Sequence, residues 1–367
     1  MRKLKGPILL AAGGTGGHLY PALALYQELK AQGLSAQLVT DHRGQRFTAG
    51  FDPNDVIVLP SGGLVSGSPW KRAGGLIKLC QGWMASRKLL QSVQPVGVIG
   101  LGGYASAPPM IAASQMGIPS ILKQGDAVLG QANRFLSGRV RKICLGFPET
   151  AGVPAAQQHK IAVVGAPMRH DIEDRHNDPY PGPKASIRLL CVGGSLGAKA
   201  FSQLLPKALG NLKPEQRARF TLVQQATDPK DQERLTHEYQ AMGLNAEIKG
   251  YINDMADQLT QADLIIARSG STTVHEIAAV GRAAIFIPLG IHADAQQLHN
   301  ARYLQTAGAA WIVPQTDIAA SGLSEIFRAV LEKPEQLAHK ADIAKSKAIL
   351  GAAKSVVALA KSEFNIA

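Results

Sequence analysis

Two segments half a chain apart follow one plan: an apolar strand, a run of glycines, then a helix. The first is Ile8-Leu9-Leu10-Ala11-Ala12-Gly13-Gly14-Thr15-Gly16-Gly17-His18, the second Arg188-Leu189-Leu190-Cys191-Val192-Gly193-Gly194-Ser195-Leu196-Gly197-Ala198. Glycine lets the backbone come close to a phosphate, and the orphan N–H groups and positive dipole end of a helix N-terminus bind anions. Two such turns in one chain imply two doubly wound, Rossmann-like α/β domains whose loops face a central cleft.

Short apolar runs that alternate with helical stretches extend this reading. Strands are expected at 8–12, 36–40, 56–59, 96–100, 120–123, 142–145 and 161–164, then at 188–192, 221–225, 247–249, 264–267, 284–287 and 310–313. Helices are expected between them, for example at 21–32 and 108–116. Strands alternating with helices make a parallel sheet covered on both faces. The 367 residues suit two domains of ordinary size, here 1–165 and 166–340, with a C-terminal helix in 341–367 packing back on the first. Asp178-Pro179-Tyr180-Pro181-Gly182-Pro183 reads as the linker near the border, since its prolines suit neither a helix nor a central strand.

Charge is unevenly spread. Residues 1–164 carry 17 Lys and Arg against 6 Asp and Glu, the remainder 22 against 21. Most of the net +12 therefore falls on the first domain, which expects an anionic partner: nucleic acid, an acidic lipid surface or a phosphorylated ligand. Nucleic acid fits least, because the chain shows neither aromatic stacking platforms nor a recognised binding module. No apolar run approaches the ~18–20 residues of a transmembrane helix. The run after Met1-Arg2-Lys3-Leu4-Lys5 is too short for a signal peptide and leads straight into glycines. Cys80, Cys144 and Cys191 are odd in number and widely spaced, which suits a reducing compartment and offers no disulfide framework or zinc pattern.

The opening glycines lack the spacing of the dinucleotide fingerprint, and Asp41 is the nearest acid to a ribose partner, so a dehydrogenase is a poor reading. Four further segments add chemistry. Gly100-Leu101-Gly102-Gly103-Tyr104-Ala105-Ser106-Ala107-Pro108 sets a glycine loop and a phenol after another strand. Gly165-Ala166-Pro167-Met168-Arg169 supplies a guanidinium for phosphate or carboxylate. Arg268-Ser269-Gly270-Ser271-Thr272-Thr273-Val274-His275-Glu276 offers backbone N–H groups and hydroxyls for a diphosphate, with Glu276 placed to accept from a ribose diol. Asp294-Ala295-Gln296-Gln297-Leu298-His299 presents paired amides suited to sugar hydroxyls.

In this order the five segments resemble the MurG-type glycosyltransferases, which transfer N-acetylglucosamine from UDP-N-acetylglucosamine to the muramyl-pentapeptide diphosphoundecaprenol lipid of peptidoglycan synthesis. The resemblance spans almost the whole chain, and the opening glycine–histidine and Gly102-Gly103-Tyr104 segments are its most specific parts. It implies GT-B architecture, the nucleotide sugar on the second domain, the polyprenyl-diphosphate acceptor on the first, no cofactor, and peripheral attachment at the cytoplasmic face of the inner membrane. By matching motif, Arg169, Ser195, Ser271, Thr272 and Thr273 would contact the diphosphate, and Thr15, Gly16 and Gly17 would join the donor set. The Ile252 backbone would meet the uracil, Glu276 the ribose, and Gln296 and Gln297 the sugar. Thr15, His18, Tyr104 and Asn133 would line the acceptor side.

Breaking the anomeric bond releases a diphosphate, whose growing charge amide dipoles and Arg169 can stabilise. No Asp-x-Asp signature occurs, in keeping with a metal-independent route. An acceptor hydroxyl attacks from the opposite face, with His18 as the expected base and Tyr104 beside it. Where the family carries His-Glu-Gln-Asn, this chain has Lys123-Gln124-Gly125-Asp126. A usual Gln is Leu196, a usual Asn is Ser202, and Ser271-Thr272 replaces Ala-Leu. Gln124 removes a potential proton acceptor, for which Asp126 is expected to compensate. A transferase with a different lipid acceptor, and a nucleotide-sugar-binding protein without turnover, remain as alternatives.

Residues 70–89 mix bulky apolar and basic side chains with almost no acids. They read as a surface helix in which Leu76, Leu79 and Trp83 dip into an anionic membrane, the alternative being a core-facing helix with a solvated basic face. His275, His292 and His299 read as satisfied loop or helix histidines.

Overall fold

The structure is a computed structural model that describes residues 6–61, 69–180, 182, 186–289, 295–315 and 319–366, with backbone alone at 69–76 and 195–198. The chain divides into two compact units, Met1–Arg169 with Leu350–Ala367, and His170–Ile349.

The first unit is built on seven strands: β1 (Ile8–Ala11), β2 (Ala36–Thr40), β3 (Val56–Val58), β4 (Gly97–Gly100), β5 (Ser120–Gln124), β6 (Lys142–Leu145) and β7 (Ile161–Val163). They form one parallel sheet in the order β3-β2-β1-β4-β5-β6-β7. Its helices include α1 (Gly16–Ala31), α2 (Pro69–Val93), α3 (Ala107–Gln115) and α4 (Gln131–Leu136). Successive strand residues point to opposite faces, so β1 supplies two cores at once. Ile8 and Leu10 pack with Leu25 and Leu29 of α1, and Leu9 and Ala11 with Leu90 of α2 and Met110 of α3.

The helix Ala352–Phe364 closes the first of these cores with Val356, Val357, Ala360 and Phe364. A Cβ on Gly97 would lie 2.4 Å from the Phe364 ring, so β4 begins with the one residue that lets that ring in.

The second unit holds β8 (Ile187–Val192), β9 (Phe220–Gln225), β10 (Asn245–Lys249), β11 (Leu264–Ala267), β12 (Ala283–Phe286) and β13 (Ala310–Ile312), parallel and ordered β10-β9-β8-β11-β12-β13. Each sheet reverses its winding at its first strand, between β1 and β4 and between β8 and β11. In such sheets ligands bind at the carboxyl ends of the strands flanking that point.

All the expected strands form, with ends shifted by no more than two residues. Three details differ. Helix α1 starts at Gly16, not residue 21, and Pro21 lies in its second turn, where it forfeits one backbone bond close to the helix end. The units divide at Arg169/His170 and again at Ile349/Leu350, so helix Gln336–Ser346 stays with the second unit. The proline-rich stretch near the border is tied to the second unit and is no free linker. The guanidinium of buried Arg282 donates to the carbonyls of Thr260, Val280, Gly281 and Pro179 and stacks on the Tyr180 ring, which pins Pro179 and Tyr180 into the second unit.

Candidate active site

In the first unit the loops after β1 and β4 touch. A Cβ on Gly13 would lie 2.2 Å from the Ala105 methyl; one on Gly103, whose φ is +76°, would lie 2.5 Å from the Gly13 carbonyl oxygen. Glycine at both places is what lets the two loops lie against each other. Thr15 occupies the N-cap position of α1, but its hydroxyl makes no cap and instead sits 3.2 Å from His18 Nδ1. The other edge of the imidazole lies against Gly102, where a Cβ would be 3.0 Å from Nε2. Tyr104 follows the two positive-φ glycines and is 49 % exposed, so it projects from the loop and does not wedge beneath it. Burial is the main cause that lowers the His18 pKa. Asp126 opposes that shift and Lys123 adds to it.

The end of β5 completes this group. Lys123 is buried, its ammonium donating to the Gln124 carbonyl at 3.2 Å, and burial pushes its pKa down to about 8 against the opposing pull of Cys144 and Asp126. Gln124 Nε2 donates to the carbonyls of Asp126 (3.1 Å) and Val128 (2.9 Å), and Gln124 Oε1 accepts from Asn133 Nδ2 of α4 at 2.6 Å. Asp41, at the end of β2, is committed to the backbone. Its carboxylate accepts from the N–H groups of Gly14 and Gly44, from Ser61 Oγ and from Arg43, and these bonds outweigh burial to hold its pKa low. That rules it out as a ribose partner.

In the second unit the loops after β11 and β12 are laced together. Arg268 donates to the Ile287 carbonyl and to Gln315 Oε1, Ser269 Oγ to the Gln297 carbonyl, and Asn300 Nδ2 to the Ser269 carbonyl. Helix Ser271–Val280 starts immediately beyond, its N-cap Gly270 contributing no side chain. Its first-turn N–H groups, with Ser271, Thr272 and Thr273, form the kind of end that attracts a diphosphate. Half-buried Glu276 lies one turn in; His275 is buried with Nδ1 against the Ser271 carbonyl at 2.8 Å and its ring stacked on Tyr303.

Residues 8–145 match the N-terminal domain of glycosyltransferase family 28 and residues 188–356 its C-terminal domain. The chain is 39% identical over 98% of its length to a protein of Sinorhizobium fredii named UDP-N-acetylglucosamine--N-acetylmuramyl-(pentapeptide) pyrophosphoryl-undecaprenol N-acetylglucosamine transferase, covering 95% of that protein. A protein of the same name from Rhizobium meliloti is 41% identical over 92% of this chain and 90% of its own. The crystal structure of Acinetobacter baumannii MurG superposes with a TM-score of 0.78 at 28% identity, covering 97% of this chain and 99% of that one.

The chain belongs to the MurG-type glycosyltransferases of family 28. Its two parallel-sheet domains are those of the GT-B fold. Fold alone does not make the distinction: a UDP-GlcNAc 2-epimerase from Neisseria meningitidis shares it at a TM-score of 0.63 with 12% identity, covering 96% of this chain and 98% of its own.

For a MurG-type enzyme the expected residues are distributed as follows. Thr15, Gly16, Gly17, His18, Tyr104, Asp126 and Asn133 all lie in the first unit, with His18, Asp126 and Asn133 grouped around Gly102 and the end of β5. Arg169 is the exposed last residue of that unit's main segment. Ile252, Ser271, Thr272, Thr273, Glu276, Gln296 and Gln297 belong to the second. The Ile252 side chain is buried, which leaves its backbone as the usable part.

Gln297 has a structural duty as well: its Oε1 accepts from the Leu289 N–H at 2.8 Å, so one end of this amide holds the loop after β12. The side chains of Ser195 and Leu76 lie outside the described residues.

The apolar patch on α2 is also corrected. Trp83 packs on the core of the first unit and donates its indole N–H to Gln115 Oε1 of α3 at 2.8 Å, and Leu79 is half-buried. Among the described residues of α2, the large apolar side chains that stand out are Ile77 (59 % exposed) and Met84 (51 %), two turns apart on one face. Gln124 as an organising residue and Arg268 as a loop tie escaped the sequence reading. Arg268 stood in a quoted motif, but nothing in a motif reveals which carbonyls a guanidinium will find.

Proposed function

We propose that this protein transfers N-acetylglucosamine from UDP-N-acetylglucosamine to the muramyl-pentapeptide diphosphoundecaprenol lipid, with inversion at the anomeric carbon. The observation that carries this is the group in the first unit: a half-buried imidazole with Nδ1 against Thr15 and Nε2 beside the Gly102 turn, with Asn133 and Asp126 in the same group. With Nδ1–H donating to Thr15 Oγ1, Nε2 holds a lone pair for the attacking sugar hydroxyl. Asp126 stabilises the imidazolium that forms, and Tyr104 projects toward the same substrate. In the second unit the Ser271–Thr273 turn takes the diphosphate, Glu276 the ribose diol, the Ile252 backbone the uracil, and Gln296 with Gln297 Nε2 the sugar. Arg169 brings a guanidinium and Ser195 a hydroxyl to the departing diphosphate.

The lipid acceptor calls for membrane attachment. Among the described residues no helix is long and apolar enough to cross a membrane. We place the enzyme on the cytoplasmic face of the inner membrane, with Ile77 and Met84 of α2 in the interface and the excess Lys and Arg of the first unit against anionic headgroups.

Incubation with both substrates should release UDP and yield a disaccharide lipid. No release above background at micromolar enzyme would overturn the reading. The Lys123-Gln124-Gly125-Asp126 sequence favours one second reading, a different polyprenyl-linked sugar as acceptor, which a panel of acceptors at fixed UDP-N-acetylglucosamine would reveal.

A further inference from the structure

The amide of Gln124 has its direction fixed by the backbone. Two carbonyl oxygens, of Asp126 and Val128, lie 3.1 and 2.9 Å from one end of its carboxamide, and a carbonyl accepts only from a donor. That end is therefore the NH2, and the opposite end is Oε1. Asn133 approaches Oε1 at 2.6 Å, so the atom it presents there must in turn be its NH2. The remaining end of Asn133, Oδ1, is buried and has no hydrogen-bond partner, in a side chain only 6 % exposed. Its Nδ2 lies 3.8 Å from where a Cβ on Gly102 would stand, on the glycine that also flanks His18 Nε2. A buried acceptor without a partner is costly and uncommon in a finished protein interior.

We propose that Gln124 is a positioning residue that relays the polarity of two loop carbonyls to Asn133, so that Asn133 meets the sugar acceptor as a hydrogen-bond acceptor. The substrate group opposite Asn133 is then an N–H or O–H donor, not a phosphate or carboxylate oxygen, and the muramyl-peptide portion supplies both kinds. Gln124, itself 3 % exposed, touches no substrate and acts only through Asn133. A carboxylate at position 124 would replace the NH2 with an acceptor oxygen that faces two carbonyl oxygens, and the end of β5 would lose both bonds. This inference rests on the placement of Asn133 at the acceptor side.

Steady-state kinetics of the full chain, varying each substrate in turn, test it with Asn133→Ala, Gln124→Glu, Gln124→Met and the double variant Gln124→Met/Asn133→Ala. The expected result is a fall of about tenfold or more in kcat/KM for the lipid acceptor in every variant, with KM for UDP-N-acetylglucosamine unchanged. The double variant should be no worse than Asn133→Ala alone, because Gln124 has nothing left to position. Wild-type acceptor kinetics in Gln124→Glu, or losses that multiply in the double variant, would overturn the relay while leaving Asn133 in place. Wild-type acceptor kinetics in Asn133→Ala would remove the placement of Asn133 and the relay with it. Should Gln124→Met fail to fold, Gln124→Glu, which keeps the size of the side chain, carries the test against Asn133→Ala.

Discussion

A base for a sugar hydroxyl must be unprotonated at working pH, and the burial of His18 favours that state. Acceptor turnover is therefore expected to stay level through neutral pH and fall only below the ordinary imidazole value of about 6.5. Asp126 raises the His18 pKa and Lys123 lowers it, so Asp126→Asn should shift the acid limb of kcat/KM to lower pH and Lys123→Met to higher pH. Movement of either limb the other way would contradict the coupling.

The same groups govern stability. A histidine whose folded pKa lies below its unfolded one binds its proton better in the unfolded chain, so stability is lost as pH falls below about 6.5. Lys123, lowered from 10.5 to about 8, burdens the fold with a buried charge below pH 8, and the burden disappears above 10.5. Lys123→Met is thus expected to raise the thermal midpoint at pH 7 while weakening turnover. A lowered midpoint would show that the ammonium is held by more than its bond to the Gln124 carbonyl. At this scale the sequence could single out positions 123–126 as a departure from the family pattern. It could not show that an amide there locks a residue nine positions on, since that bond exists only where the end of β5 meets α4.

Elements were more legible than single contacts. Each central strand is a short apolar run buried on both faces, and such a run leaves few alternatives once glycine turns and helices flank it. The orientation of α2 was not legible, because apolar and basic residues occupy every side of it and only its packing on α3 selects a face. Trp83 therefore belongs to stability: Trp83→Ala is expected to cost about 2 kcal/mol in chemical denaturation, less than a fully buried aromatic, and to leave vesicle binding intact. Loop contact makes a second demand. Gly103→Ala combines a strained left-handed residue with a clash against the Gly13 carbonyl. It should destabilise the first unit by about 2 kcal/mol and reduce acceptor turnover through the displaced Tyr104 and His18, with UDP affinity retained.

Across the whole molecule the decisive asymmetry is charge: the first 164 residues hold 17 cationic against 6 anionic side chains, and the other 203 are nearly neutral. An attraction spread over many exposed Lys and Arg is screened by salt, whereas insertion of apolar side chains is not. Binding of the full chain to vesicles containing anionic phosphatidylglycerol should therefore have two separable parts. Raising ionic strength from about 0.05 to 0.5 M, where the screening length falls from over 10 Å to under 5 Å, should remove most but not all of it. Ile77→Glu with Met84→Glu should abolish the salt-resistant remainder, because both side chains stand on the exposed face of α2. Vesicles of neutral phosphatidylcholine should retain only that remainder. Binding that ignores salt and survives the double substitution would place the membrane surface elsewhere. The lipid would then reach His18 and Asn133 by a route other than along α2.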